Sequence, residues 1–274
     1  MNNIKNELYE NGYIIIKDLL SKNEVEKLSE NIKKICEKKN SKRIDDLYNY
    51  EEFWNFIINK NLLKILRKNI SENIYYMHDS GISHFDENYD GGNKNLISWH
   101  RDTDSAPKIK DVVPYYKKGK FYEVFTAITY VSPNNKGGTL NLIPKSHNKE
   151  FRFGFKNLLR IFHWKTKNKK RYFFIRNIIE KLIGKNCKVD SGDCIVFFTT
   201  LFHKVEKSES TRQAIVARYA PKGDNSENYI NYVLKNSSND QRNGYKINNE
   251  NSEKIKNFFN ILKNEKVFYE LEDF

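Results

Sequence analysis

The sequence predicts a mainly β protein, an antiparallel sandwich or jelly roll with helices at its front. Three observations carry this expectation. Past Ser71, short aromatic or β-branched runs alternate with turn-forming clusters. Before that point, apolar residues recur at helical intervals. The chain has 274 residues, 38% hydrophobic and 30% charged, enough for a sizeable core in a globular composition.

Taken in order, Tyr13-Ile14-Ile15-Ile16 is a β-branched strand that Lys17-Asp18 breaks. Ser21 and Glu24 have capping-box spacing, and Val25, Leu28, Ile32 and Ile35 follow as one helical stripe, predicting a helix to about Lys38. Residues 51–69 read as helical, with apolar faces from Phe53, Phe56, Ile57, Leu62, Leu63 and Ile65. Strands are expected at 74–77, 96–100, 122–131, 140–143, 194–198 and 213–219, separated by clusters such as Asp90-Gly91-Gly92-Asn93. Between the fourth and fifth runs, Phe155, Leu158, Leu159 and Phe162 form one helical stripe. Phe174, Ile175, Ile178, Ile179 and Leu182 form a second. The segment 149–188 is therefore expected to be a helical hairpin inserted between strands, and 252–262 a last helix. There is no repeat and no low-complexity linker, so residues 1–274 are expected to be a single domain.

Composition removes several classes. Cys36, Cys187 and Cys194 have no paired spacing, which excludes a disulfide framework and a cysteine zinc site. No apolar run approaches the roughly 20 residues that cross a bilayer. The first residues lack the basic-then-apolar pattern of a signal peptide, so a cytoplasmic location is expected.

Charge points to a partner. The chain carries 48 Lys and Arg against 35 Asp and Glu, a net of +13. Residues 149–188 hold 13 basic side chains and two acidic ones, Glu150 and Glu180, leaving only +2 for the rest. A field of one sign confined to one segment implies an anionic partner.

The chemistry lies in His100-Arg101-Asp102, at the end of a predicted strand. Residues i and i+2 share a strand face, so His100 and Asp102 converge on one point. His203, after Gly192-Asp193 and the run 194–198, supplies a third donor. Two histidines and one carboxylate leave coordination positions open, the facial arrangement of non-haem iron(II) oxygenases. Arg212 follows nine residues after His203.

These residues resemble the phytanoyl-CoA dioxygenase-like branch of the iron(II)/2-oxoglutarate-dependent oxygenases. The similarity runs through Gly12 to Leu20, Trp99-His100-Arg101-Asp102, the turn Pro144-Lys145-Ser146-His147 with lysine where glycine is usual, Ser191-Gly192-Asp193, His203, Arg212 and Arg218-Tyr219. The resemblance implies a double-stranded β-helix (jelly roll, cupin-like) core. It implies iron(II) on His100, Asp102 and His203, with 2-oxoglutarate and dioxygen as co-substrates. The 2-oxoglutarate C5 carboxylate calls for a planar arginine fork, assigned to Arg212 with Arg218 in reserve. Halogenating relatives lack the carboxylate ligand, so Asp102 favours hydroxylation.

Trp99 reads as a packing residue or a pocket wall, and His147 as a residue that orients the Pro144–His147 turn or lines the pocket. Lys165, Lys167, Lys169, Lys170 and Arg171, at the tip of the helical hairpin, are assigned to a lid over an anionic substrate: a phosphorylated, nucleotide-, CoA- or lipid-linked small molecule. Two other readings of 149–188 are solvated structure and peripheral contact with an anionic membrane. His78, His84 and His163 read as structural histidines, and Asp104 as a solvated loop carboxylate. A nucleic-acid demethylase is the alternative, from the Arg212/Arg218 spacing, but no nucleic-acid motif accompanies it. A binding protein without catalysis on the same fold is the third reading. Oligomeric state is not legible.

Overall fold

The structure is a computed structural model that describes residues 4–45, 47–77, 80–85, 99–102, 123–132, 138–166, 169–205, 210–223 and 253–268. His78, Asp104, Lys167 and most of the strand expected at 96–100 lie outside them.

The front of the chain comprises α1 (Ile4–Asn11), β1 (Tyr13–Ile16), α2 (Lys22–Lys38), β2 (Arg43–Asp45), α3 (Trp54–Ile57) and α4 (Lys60–Asn69). Then come β3 (Ile74–Tyr76), β4 (Gly81–Phe85), β5 (Phe125–Tyr130) and β6 (Gly138–Leu142). The helical insertion holds α5 (Phe155–Lys165) and α6 (Phe173–Ile183). After it run β7 (Lys185–Val189), β8 (Cys194–Phe198), β9 (His203–Val205), β10 (Arg212–Pro221) and α7 (Glu253–Asn264).

Two antiparallel sheets form the core. The larger has the order β1-β8-β5-β10-β4-β2, with β3 also paired to β10; the smaller is β7-β6-β9. Both contribute side chains to one cavity, which therefore lies between them. On β10, Arg212, Ala214, Val216 and Arg218 all line it, the period of two expected for one strand face.

Local chemistry sets the ends of these elements. The Ser21 hydroxyl accepts from the Glu24 amide while the Glu24 carboxylate accepts from the Ser21 amide, so the capping box forms as expected. The stretch 51–69 is helical as expected and divides at Asn59, which caps α4: its side chain accepts from the Leu62 amide. Gly192 turns the chain into β8 at φ +97°, and a Cβ there would stand 2.7 Å from the Leu20 carbonyl oxygen. That close approach lets the Leu20 amide donate to the Gly192 carbonyl and ties β1 to the turn. Asp193 completes the tie by accepting from the Asp18 and Asp190 amides and from Lys17. Lys145, where glycine is usual, has φ +67°, the left-handed region that glycine occupies without strain.

Within the segment 149–188 expected as a hairpin, α5 and α6 are its helices, and its last residues from Lys185 on are instead strand β7 of the smaller sheet. The inner face of the hairpin covers a separate small core, in which Ile179, Ile183 and Phe151 are buried with Trp99, Ile143 and Phe202. Much of both helical stripes stays exposed, including Phe155, Leu158, Phe174 and Leu182.

Candidate metal centre

The segment 99–102 is short, yet it is pinned at both ends. His100 and His203 exchange both backbone hydrogen bonds at 2.9 Å, an antiparallel pair that extends the smaller sheet by one bridge. The Asp102 amide donates to the Thr199 carbonyl at 3.1 Å. The intervening Arg101 turns to the opposite side, where its guanidinium lies 3.9 Å over the Phe202 ring and donates to the Ser146 carbonyl. The alternation expected of H-x-D is thus realised: His100 and Asp102 face the cavity and Arg101 does not.

His100, Asp102 and His203 each offer a ligand atom, and all three atoms lie within 4.8 Å of one another. The imidazole rings of the two histidines are 4.3 Å apart, centre to centre. His203 Nδ1 sits 3.0 Å from the Leu201 carbonyl oxygen. A carbonyl only accepts, so Nδ1 carries a hydrogen there and Nε2 is the donor atom left for a cation. Nε2 in turn lies 3.3 Å from Asp102 Oδ1. An imidazole lone pair and a carboxylate oxygen facing each other require a shared cation, either a proton or a metal ion.

Asp102 is held as an anion. Burial alone would raise its pKa, but His203, His100 and the Thr126 hydroxyl outweigh that and hold it below the usual carboxylate range. Thr126 donates to Oδ2 at 2.8 Å, and Arg218 Nη2 lies 3.2 Å from the same oxygen. Oδ1 is the oxygen left toward His203. Such outer partners fix the orientation of a ligating carboxylate. The sequence reading did not single out Thr126; its place on the cavity face of β5 arises only from the pairing Arg218↔Thr126.

The cavity beside these ligands measures about 120 Å³. Arg212 is buried at its wall, with its guanidinium 5.0 Å over the Phe85 ring. Tyr130 lines the same cavity and is fully buried. Its hydroxyl has no hydrogen-bond partner among the described residues. Burial pushes its phenol up while the charge of Arg212 pulls the other way, so the two groups interact. A buried hydroxyl beside a buried guanidinium suits a carboxylate. Arg43, which the sequence reading also passed over, lines the cavity from β2.

Other residues singled out from the sequence lie elsewhere. His147 is buried behind β8, stacked 4.8 Å from Phe198, with Nε2 donating to the Tyr9 carbonyl. Trp99 packs under the hairpin, close to Gly184 and Lys204. Of the hairpin cations, Lys165, Lys169, Lys170 and Arg171 are exposed and are not among the residues that line the cavity. His84 Nδ1 accepts from Gln213, and His163 pairs with Glu180 at 2.7 Å, both structural roles.

The chain matches a known family over residues 8–214, described as phytanoyl-CoA dioxygenase (PhyH). No curated protein sequence matches. Among solved structures, HygX from Streptomyces hygroscopicus with nickel and 2-oxoglutarate bound is similar at 14% identity and a TM-score of 0.57. That match covers 81% of this chain and 87% of HygX. A non-heme alpha ketoglutarate dependent carbocyclase, SnoK from nogalamycin biosynthesis, is similar at 14% identity and a TM-score of 0.50. Here 80% of this chain and 83% of SnoK are covered. At such identity the likeness is one of fold, and that fold is the jelly roll.

Proposed function

Because this chain belongs to the phytanoyl-CoA dioxygenase family, we propose that it is an iron(II)/2-oxoglutarate-dependent dioxygenase that hydroxylates an anionic small molecule. The observation that carries this reading is the convergence of His100, Asp102 and His203 within 4.8 Å at the wall of a cavity. The donor set is one imidazole-rich face with a single carboxylate, which fits iron(II) and leaves positions open. The buried Tyr130 hydroxyl beside Arg212 fits the remote carboxylate of 2-oxoglutarate.

When bound, iron and 2-oxoglutarate together supply oxygen activation driven by decarboxylation to succinate. The chain's own groups prepare for it. His203 presents Nε2 because Nδ1 is committed to Leu201. Asp102 presents Oδ1 because Thr126 and Arg218 occupy Oδ2. Arg212 would hold the C5 carboxylate with its guanidinium, and the Tyr130 hydroxyl would donate to it. Ile128, Leu140, Phe197 and Val205 line the cavity with apolar surface and exclude water around the reacting carbon.

The presence of a carboxylate, Asp102, in the candidate donor set supports hydroxylation over halogenation. Arg43 in the cavity wall and the concentration of charge in 149–188 support an anionic substrate. Arg218, which suggested a nucleic-acid demethylase by its spacing from Arg212, is paired with Asp102.

The test is anaerobic titration of the metal-free protein with iron(II) and 2-oxoglutarate, following the visible charge-transfer absorption of the chelate. Absorption in the wild type and its loss in His203→Ala is the expected result. Correctly folded protein with no absorption overturns the oxygenase reading.

A further inference from the structure

We propose that the outer face of the α5–α6 hairpin docks onto an anionic lipid bilayer. The inner face is occupied, since Ile179 and Ile183 pack on Trp99, Ile143 and Phe202. The outer face is apolar and open to solvent. On α5, Phe155, Leu158 and Phe162 stay exposed at helical spacing, Phe155 by 71%. On α6, Phe174, Ile175, Ile178 and Leu182 do the same, Phe174 by 73%. Phe153, Trp164 and Phe173 add exposed aromatic surface at the helix ends. So many large apolar side chains exposed on two neighbouring helices mark an interaction site.

Charge selects the occupant. The cations Lys156, Lys165, Lys169, Lys170, Arg171 and Lys181 are exposed among these side chains. Of the two acidic residues in 149–188, Glu180 is held by His163 and Lys204, both at 2.7 Å. A second copy of the chain would set a field of +11 against an identical one. An acidic protein groove would take a single amphipathic stripe, whereas both helices and their ends expose apolar side chains here. A lipid surface meets both features. Its headgroups take the ammonium and guanidinium heads, and its acyl boundary takes the rings and branched chains, with lysine stems bridging the two. Docking is in-plane, because no helix among the described residues is long and apolar enough to cross a membrane.

The inner face rests on Trp99 and Phe202, the chain neighbours of His100 and His203. Lys204, which follows His203, is tied to Glu180 on α6. A docked hairpin therefore holds the candidate metal centre close behind the lipid surface. Docking itself does not depend on the oxygenase reading, and its test uses protein without iron or 2-oxoglutarate.

That test is co-sedimentation of the full chain with vesicles of phosphatidylcholine containing phosphatidylglycerol, and with vesicles of phosphatidylcholine alone. The wild type is expected to pellet with the anionic vesicles and far less with the neutral ones. Phe155→Asp/Phe174→Asp is expected to weaken binding by about tenfold or more. Lys169→Glu/Lys170→Glu/Arg171→Glu is expected to weaken it comparably at low salt. All substituted side chains are exposed, so melting curves like that of the wild type are expected for both variants. The proposal is overturned if the wild type stays in the supernatant with both vesicles, or if the paired Asp variant binds as tightly as the wild type. It is equally overturned if the wild type self-associates in solution and that variant abolishes the association, which would make the face an interface between copies.

Discussion

Asp102 has two oxygens with different duties, and single substitutions separate them. Thr126→Val removes the hydroxyl that donates to Oδ2 while keeping the side-chain shape. Outer partners of this kind contribute about 10- to 100-fold to metal affinity, so iron(II) affinity is expected to fall within that range with the fold intact. Calorimetric titration with iron(II) checks it. Tyr130→Phe has opposite effects on two readouts. Removing a buried hydroxyl that lacks a partner should leave the ligand-free protein as stable or more stable. The same change should weaken 2-oxoglutarate binding, and Arg212→Ala should weaken it more. A hydrogen bond to a charged group contributes about 1.5–3 kcal/mol, which is roughly tenfold or greater in affinity. If Arg212→Ala left 2-oxoglutarate affinity unchanged while Arg218→Ala reduced it, the carboxylate site would belong to Arg218.

At the scale of elements, two turns and one ion network hold the site in place. Gly192→Ala introduces a Cβ 2.7 Å from the Leu20 carbonyl at a left-handed φ. It should destabilise the fold by more than about 1–2 kcal/mol, the left-handed penalty alone, read as a lower midpoint in urea. Lys145→Gly works the other way. It relieves the φ of +67° and loses only an exposed ion pair with Glu10, so a small gain of about 0.5–1 kcal/mol is expected. Acid should loosen two contacts in turn. Burial depresses His147 to about 4. The unfolded chain, with a histidine pKa near ~6.5, therefore takes up the proton first, and stability is lost as pH falls from there toward 4. Glu180 is opposed by burial but held down to about 2 by His163 and Lys204. Its contribution is present above the usual glutamate pKa and is lost as pH falls toward 2. Glu180→Gln should therefore remove the lower part of the acid transition, and His147→Asn should remove the upper part.

At the scale of the molecule, the two sheets meet around a cavity whose candidate metal ligands come from β9 and a short segment paired to it. Binding of a divalent ion should therefore tie residues 100–102 to 203 and raise the melting temperature. At a free concentration a hundredfold above Kd the gain is about 2.7 kcal/mol. Nickel(II), which does not oxidise in air, is a convenient probe, and His100→Ala or Asp102→Ala should abolish the rise. The net charge of +13 is concentrated on the hairpin. The same calorimetry with that segment's lysines reversed should leave the metal-induced rise unchanged.

The sequence by itself determined the strand-rich core, the capped α2, the two helices of the insertion and the sharing of one face by His100 and Asp102. Each is written in local spacing: period two in His100-Arg101-Asp102, period 3.6 in the hairpin stripes, a glycine turn before β8. Near-neighbour geometry along one strand or helix follows from backbone stereochemistry, so such features are legible without the fold. The short elements were not. β2, β4, β7 and β9 have no strong period of their own and are held by pairing with partners distant in sequence, as β2 is by β4 and β9 by β6. Only the tertiary structure decided that Thr126 and Arg218 would share Asp102 Oδ2, that Tyr130 would stand beside Arg212, and that His147 would sit behind β8. It also decided that only Ile179 and part of Leu159 from the two hairpin stripes would meet the small core, leaving the rest in water. These outcomes depend on registers between strands far apart in sequence and on which face of an amphipathic helix meets the core. Neither is encoded in the spacing of the residues involved, because a register or a helix rotation is fixed by the summed packing of all its neighbours.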